Sequence, residues 1–306
     1  MRLTTIPFAT LSIGFLLTCS TCGLASVAPI APLLSAQSVT PSHQPLLPGM
    51  PSESAIAAIH VQYETYTSAA MGGQRTYGIV LPPGYDQNPE ARYPVIFLLH
   101  GGHGNPTDWF DKGNALETLK QLYSSGKLPP SLFITPDGND KRGSSPFWDP
   151  QYFDGPNGSV GTAIGSELVQ IIQTRYRTLP NPTFWAIGGL SSGAWGALNI
   201  GLHYPNHFSI LFSHSGYFVD RSGPQNSPMD VIKTLSSNTL QHLKIYLDTG
   251  SSDEHFYVDQ NQQFHQLLDQ LHVTNQLQLF SGSHSWRYWR QHLADSLTFV
   301  GEQLSG

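Results

Sequence analysis

Ser191 stands in a pentapeptide whose spacing suits a serine nucleophile. Residues 189–193 read Gly-Leu-Ser-Ser-Gly and match the pattern G-x-S-x-G. In this pattern a strand turns sharply into a helix and exposes the serine hydroxyl, and side chains larger than glycine would collide at the turn. Pro182–Ile187 is a short apolar run of strand type, and Ala194–His203 favours a helix. Ser191 is therefore the candidate nucleophile, the alternative being a glycine-rich turn without chemistry.

A serine nucleophile needs a base and an acid, which follow it in the order Ser, Asp or Glu, His. His284 is the best of the 13 histidines, because it lies in a loop of small residues between the last predicted strand and the final helix. Asp248 and Asp253 are rival acids. Asp253 is preferred because it lies in the loop beyond a strand and can turn toward the site, whereas we expect Asp248 to cap the turn. His284 would accept the Ser191 proton and return it to the leaving group, while Asp253 orients the ring.

Acyl-transfer chemistry also needs hydrogen-bond donors for the oxyanion that forms in the reaction. One donor is the backbone N–H of Ser192, which directly follows the nucleophile. The second is expected in the glycine-rich loop after the continuous apolar run Tyr93–Leu99. We assign it to the N–H of Gly102, with Gly101 as the neighbouring alternative, because a backbone with so few side chains can approach a substrate closely.

The same loop contains His100 and His103, which suggest a metal-binding pair as an alternative. No carboxylate or cysteine accompanies them at the spacing of a ligand set. We therefore predict no metal.

Two long irregular segments, residues 136–160 and 217–228, interrupt the predicted elements. Long loops in a compact domain often carry functional residues. Trp148 in the first segment and Trp286, just after the candidate base, are the predicted substrate contacts. For Trp148 and its neighbour Phe147, an aromatic plug that pins the loop is the competing interpretation.

The remaining chain alternates between apolar runs and helical patterns. An antiparallel hairpin is predicted first, from 60–67 and 75–81. Further strands are predicted at 93–100, 132–135, 184–187, 209–212, 244–247 and 276–280, with helices at 116–123, 162–176, 194–203, 229–235, 261–272 and 286–304. The alternation predicts an α/β fold with a mostly parallel sheet and helices on both faces.

Composition indicates one neutral-to-acidic globular domain. The 306 residues are 39% hydrophobic and only 12% charged, with a formal net charge of -6. This charge gives no basic surface for nucleic acid or an anionic membrane. We assign residues 55–306 to a single catalytic domain and residues 29–54, rich in Pro and Ser, to a linker.

Residues 1–28 are predicted to be a signal peptide, whose end lies between 28 and 36. Arg2 precedes the apolar core Ile6–Leu17, which is too short for a membrane-spanning helix. Both cysteines, Cys19 and Cys22, fall within this segment, so the mature chain would contain none. Lipidation at Cys19 is less favoured, because Thr18 is a poor fit before a lipoprotein cysteine. We expect a secreted or periplasmic protein without a stable membrane span.

Five segments in order resemble the esterase family of α/β-hydrolases, whose members include feruloyl and acetyl-xylan esterases, S-formylglutathione hydrolases and mycolyltransferases. The resemblance covers roughly Val61 to Leu304. The matching segments are Leu98–Gly102, Glu167-Leu168, Gly189–Gly193 with Tyr204-Pro205 beyond it, the Asp253 loop and His284–Trp289. Ala194 and His103 depart from glycines that are common in relatives, which leaves substrate preference open without removing a reacting group.

The resemblance implies an eight-stranded sheet, no metal and no diffusible cofactor. It also implies a secreted serine carboxylic-ester hydrolase, acting on small-molecule or carbohydrate esters such as feruloyl or acetyl esters. An acyltransferase resembling the mycolyltransferases is one alternative, because it would use the same three residues. The other is a non-catalytic binding protein on a hydrolase fold, since a fold alone does not prove activity.

Overall fold

The computed structural model describes residues 49–304. The strands are β1 Val61–Ser68, β2 Gly73–Val80, β3 Val95–Leu99, β4 Leu132–Pro136, β5 Asp154–Gly155, β6 Gly158–Ser159, β7 Trp185–Leu190, β8 Ile210–His214, β9 Lys244–Gly250 and β10 Thr274–Phe280. Eight of them form one sheet in the order β1-β2-β4-β3-β7-β8-β9-β10, and β5 and β6 form a small separate hairpin.

Helices connect these strands and cover the sheet. The α-helices are α1 Glu53–Ala57, α2 Asp108–Asp111, α3 Ala115–Ser124, α4 Val160–Thr162, α5 Val169–Arg175, α6 Ser192–His203, α7 Pro228–Val231, α8 Ser237–His242, α9 His255–Gln270 and α10 Trp286–Leu304. A π-helical segment, Ala163–Leu168, joins α4 to α5. Short 3-10 turns occur at Tyr85–Gln87, Pro182–Phe184, Pro224–Asn226 and Ile232–Thr234.

The central strand β3 shows why the sheet is covered on both faces. All five of its residues are buried and apolar. Phe97 and Leu99 belong to one apolar cluster, whereas Ile96 and Leu98 belong to another. Because successive side chains in a strand point to opposite faces, the two clusters lie on opposite sides of the sheet. The continuous apolar run is thus typical of a parallel strand buried between helical layers.

The sheet brings the candidate residues to one edge. Strands β1, β2 and β4 pair antiparallel, and β4, β3, β7, β8, β9 and β10 pair in parallel. Parallel strands end at the same edge, which is where ligands bind in open α/β sheets. Ser191 follows the last residue of β7, Asp253 follows β9 by three residues, and His284 follows β10 by four.

The predicted architecture is confirmed, including the eight-stranded sheet and the antiparallel hairpin. Three details differ. The predicted helix 162–176 contains the π-helical turn, where the Glu167 carboxylate accepts hydrogen bonds from the Ser68 hydroxyl and the Ala70 N–H. Helix α9 begins at His255, six residues before the predicted start, and α8 was not predicted.

The predicted signal peptide and residues 29–48 of the predicted linker lie outside the described residues. Within residues 49–304, no helix combines the length and hydropathy needed to cross a membrane.

Candidate active site

Ser191 occupies a strained turn between β7 and α6. Its φ of 53° and ψ of -122° are unusual for a residue with a side chain. The flanking glycines make the turn possible, because a Cβ at Gly189 would collide with the Gly193 backbone and a Cβ at Gly193 with the His100 backbone. The sequence pattern therefore has a steric cause, and the Ser191 hydroxyl emerges at the carboxyl edge of the sheet.

Two loops bring the predicted base and acid to this serine. His284 Nε2 lies 2.9 Å from Ser191 Oγ, and His284 Nδ1 lies 3.1 Å from Asp253 Oδ2. Because the ionised carboxylate only accepts, Nδ1 carries the hydrogen and Nε2 is free to accept the serine proton. The structure thus brings all three sequence-predicted residues into hydrogen-bond contact, in the geometry that nucleophilic catalysis by serine requires.

The Asp253 carboxylate is buried, but its surroundings favour the charged form. Burial acts to raise its pKa, whereas hydrogen bonds from His284 and Ser215 and the charge interaction with His284 lower it, and the pKa falls below its ordinary value. The backbone N–H of Glu254 also donates to Oδ1 at 2.8 Å. Asp253 therefore remains a negatively charged partner for His284 at neutral pH.

The rival acid Asp248 lies in the core, so the expectation that it caps a turn is wrong. It belongs to β9 and is completely buried. Its Oδ1 accepts from the Tyr288 hydroxyl at 3.0 Å, and its Oδ2 lies 2.7 Å from His214 Nδ1. The cause is strand alternation, which directs this side chain away from Ser191 and into the layer beneath α10.

The predicted oxyanion donors lie beside the nucleophile. Within the described residues, the backbone N–H groups of Gly102 and Ser192 have no hydrogen-bond partner. Gly101 packs on Leu190, and a Cβ there would lie 3.5 Å from the Cβ of Ser191. At Gly102 a Cβ would instead collide with the Asp149 carboxylate. A side chain at either position would force the neighbouring Leu190 or Asp149 side chain to move. The role of Gly102 and Ser192 as donors stays a prediction.

The two loop histidines bind backbone groups. His100 is buried, its Nε2 accepts from the Gly138 N–H at 2.9 Å, and its Nδ1 lies 2.9 Å from the Gly101 carbonyl oxygen. His103 Nδ1 lies against the Ser145 carbonyl oxygen. In the part of the chain that is described, no group of three or more His, Cys, Asp or Glu side chains could hold a metal ion.

A cleft of about 500 Å³ opens next to the candidate triad. Both long loops predicted from the sequence contribute to its wall, through Asp149–Gln151 and Val219–Ser222. Its aromatic lining consists of Phe153, Trp195, Tyr217, Phe256 and Tyr257. Charged side chains, among them Asp149, Asp220 and Arg221, line the same cleft. Its volume is typical of small-molecule sites.

Neither predicted tryptophan lines that cleft. The Trp148 indole donates to the Gly143 carbonyl at 2.9 Å and lies under the Arg142 guanidinium. Trp286 packs edge-on against Trp109, with 5.5 Å between ring centroids. Their contact with substrate stays a prediction, without support from this cleft.

Tyr257 is a site residue that the sequence reasoning missed. Its ring stacks on the His284 imidazole, with centroids 4.3 Å apart and planes at 26°. Trp289 meets the same imidazole edge-on at 4.9 Å. Burial raises the pKa of Tyr257, and a hydrogen bond with Ser191 opposes this rise. Its position four residues after Asp253 could have indicated that it lies near the site. The helix was predicted to start only at residue 261, so Tyr257 was not assigned to it.

Comparisons with known proteins agree with this fold. A solved ferulic acid esterase superposes with a TM-score of 0.73 at 27% identity, covering 80% of this chain and 99% of that chain. An endo-1,4-beta-xylanase/feruloyl esterase of Xylanibacter ruminicola is 28% identical over 178 residues, covering 56% of this chain and 23% of the relative. An uncharacterized protein of Corynebacterium glutamicum is 24% identical over 243 residues, covering 73% of this chain.

The chain spans only 56% of the Corynebacterium relative's length. A family model described as "Putative esterase" matches residues 68–300, which include every candidate catalytic residue. The chain therefore belongs to this esterase family and has its α/β-hydrolase fold.

Proposed function

We propose that this chain is a serine carboxylic-ester hydrolase that acts through Ser191, His284 and Asp253. The observation that carries the proposal is the pair of contacts made by His284, 2.9 Å to Ser191 Oγ and 3.1 Å to Asp253 Oδ2. Membership of the esterase family supports the same reaction class.

The proposed reaction has two halves. Ser191 Oγ attacks the ester carbonyl carbon while His284 Nε2 takes its proton, and the resulting oxyanion is held by the N–H groups of Gly102 and Ser192. His284 then gives the proton to the departing alcohol, which leaves an acyl-enzyme. A water molecule, deprotonated by His284, attacks the acyl carbon and releases the acid and the free serine.

We propose esters of aromatic acids, such as feruloyl groups on carbohydrate, as substrates in preference to acetyl esters. The cleft beside the triad is lined by five aromatic side chains and is large enough for a ring-bearing acyl group. An acetyl group would leave most of those aromatic side chains in contact with water. The likeness to a ferulic acid esterase supports the same choice.

We further propose a secreted protein, with residues 1–28 as a signal peptide, 29–54 as a linker and 55–306 as the catalytic domain. The supporting observation is the basic Arg2 followed by the apolar run Ile6–Leu17.

The test compares methyl ferulate with methyl acetate as substrates of the purified chain, together with labelling by a fluorophosphonate probe. We expect labelling, hydrolysis of both esters and a higher kcat/KM for methyl ferulate. Absence of both labelling and hydrolysis would favour the binding-protein alternative. Adding a sugar acceptor separates the remaining alternative, because an acyltransferase would form the sugar ester in place of the free acid.

A further inference from the structure

Ser215 adopts a conformation that its side chain disfavours. It follows the last residue of β8, is completely buried and has a φ of 52°. Glycine takes this left-handed conformation without steric cost, whereas a residue with a Cβ does not. Non-glycine residues held in such conformations cluster at functional sites. A role for the Ser215 hydroxyl would explain why a strained serine stands where glycine fits.

The Ser215 hydroxyl holds the tryptophan that packs on His284. Trp289 Nε1 donates to Ser215 Oγ at 3.3 Å, and the Trp289 ring also meets the His284 imidazole edge-on. Because the indole N–H can only donate, the Ser215 oxygen is the acceptor that fixes the Trp289 ring at this position. Interaction with the Ser215 hydroxyl also helps to hold the pKa of Asp253 down against the effect of burial.

The backbone around Ser215 is fixed to the other parts of the site. The Ser215 N–H donates to the Asp248 carbonyl at 2.7 Å, which ties the residue to β9. The carbonyl of the preceding residue, His214, accepts from the Ser191 N–H at 2.9 Å. The segment 214–215 thus contacts the backbone of the nucleophile and the tryptophan that packs on the base.

We propose that Ser215 is a positioning residue, whose hydroxyl fixes the Trp289 ring against the imidazole of His284. The inference rests on the proposed esterase function. Ser215 acts through Trp289 and has no contact with the cleft, because it is completely buried and is not among the residues that line it. Its removal is therefore expected to lower kcat and leave KM unchanged.

The experiment uses two substitutions that differ in backbone strain. Ser215→Gly removes the hydroxyl and relieves the left-handed strain, whereas Ser215→Ala removes the hydroxyl and keeps the Cβ. We expect both to lower kcat for p-nitrophenyl acetate by roughly tenfold to a hundredfold, because misplacing a catalytic group by about 1 Å costs about a hundredfold. KM should stay within about twofold in each.

Melting temperature separates positioning from folding. Ser215→Gly should melt at or above the wild-type temperature while losing kcat, which a purely structural role does not produce. Ser213→Ala is the matched control, since Ser213 is a completely buried serine of β8 whose hydroxyl has no partner in the described residues, and its kcat should be unchanged. Wild-type kcat in Ser215→Gly would overturn the proposal.

Failure of the proposed function gives a different result. If Ser191→Ala keeps the wild-type rate, the esterase mechanism itself is wrong and the Ser215 proposal falls with it. If Ser191→Ala is inactive and both Ser215 variants keep full kcat, only the positioning role is rejected.

Discussion

Within residues 49–304, two sets of Ser, His and Asp side chains make similar contacts. The set that contains Ser191 is open to a substrate, whereas the other is buried. In the first, His284 contacts Ser191 at 2.9 Å and Asp253 at 3.1 Å. In the second, His214 Nε2 lies 2.9 Å from Ser296 Oγ, and its Nδ1 lies 2.7 Å from Asp248 Oδ2. Residue types and distances are therefore nearly the same in both.

Access distinguishes the two sets first. The His284 side chain is 24% exposed, whereas those of His214 and Asp248 are 0% exposed. Ser296 is also completely buried. The second set lies under α10 and cannot meet a substrate, so we assign it to packing between the sheet and that helix.

Proton direction distinguishes them next. The Ser296 hydroxyl donates to the Leu293 carbonyl at 3.1 Å, so its oxygen accepts from His214 Nε2. Ser191 has the reverse arrangement, because its proton points to His284. The contact between His214 and Asp248 is short but is not aligned as a hydrogen bond. A base can activate a serine only when the serine is the donor, which the buried set does not provide.

Replacing the serine of each set by alanine gives the largest expected difference in activity between the two sets. Ser191→Ala should reduce ester hydrolysis by about a millionfold, because the nucleophile and its base act as a unit. Ser296→Ala should leave kcat within a few fold and lower the free energy of unfolding by about 1–3 kcal/mol, since His214 loses its acceptor in the core. Steady-state kinetics and urea unfolding of both variants check this. Loss of activity in folded Ser296→Ala would contradict it.

Replacing each aspartate by asparagine sharpens the comparison further. Asp253→Asn should lower kcat by about ten-thousandfold with little loss of stability, because His284 loses its charged partner and its orientation. Asp248→Asn should instead destabilise the fold by on the order of 3 kcal/mol, because one partner of a buried pair is removed. Both variants are measured for kcat and melting temperature under the same conditions. The opposite pattern would make Asp248 the catalytic acid.

A smaller effect concerns acid stability. Because the pKa of Asp253 is lowered in the folded state from an ordinary 3.8, the unfolded chain binds more protons than the folded chain in this range. Its contribution to stability is complete above the ordinary pKa and is lost as pH falls through the folded-state pKa. Asp253→Asn should therefore lose less stability than wild type between about pH 5 and pH 3. Urea unfolding across that pH range measures the free energy of unfolding of both proteins. If this free energy falls equally with pH in wild type and in Asp253→Asn, the prediction is wrong.

Much of the site followed from local sequence. The glycine at 189 is required by the backbone of Gly193 within the same pentapeptide, although Gly193 itself is required by the distant His100 backbone. The order of acid and base follows from the order of strand ends. The choice of Asp253 over Asp248 was also local, because it rested on the position of Asp253 in the loop beyond the strand. The turn cap expected for Asp248 was wrong, since that residue lies within β9. The apolar run of β3 predicted its buried position.

Contacts between distant segments could not be predicted in this way. The pairing of His214 with Ser296 joins residues 82 positions apart, and nothing in either segment alone specifies the other. The positive φ of Ser215 could not be predicted either, because the residue at this position is a serine and not the glycine that usually marks such a conformation. The early start of α9, which brings Tyr257 onto His284, depends on packing against the base loop rather than on periodicity.

The short distance in sequence between Asp253 and Tyr257 constrains how this cleft can change. One segment supplies the acid, the exposed cleft residue Phe256 and the ring that covers His284. Altering that wall to admit a different acyl group would therefore disturb the catalytic base as well. The facing wall, Val219–Ser222, makes no contact with Ser191, His284 or Asp253 through its hydrogen bonds. Diversification of substrate range is expected to proceed through that second wall, where a substitution leaves the reaction machinery in place.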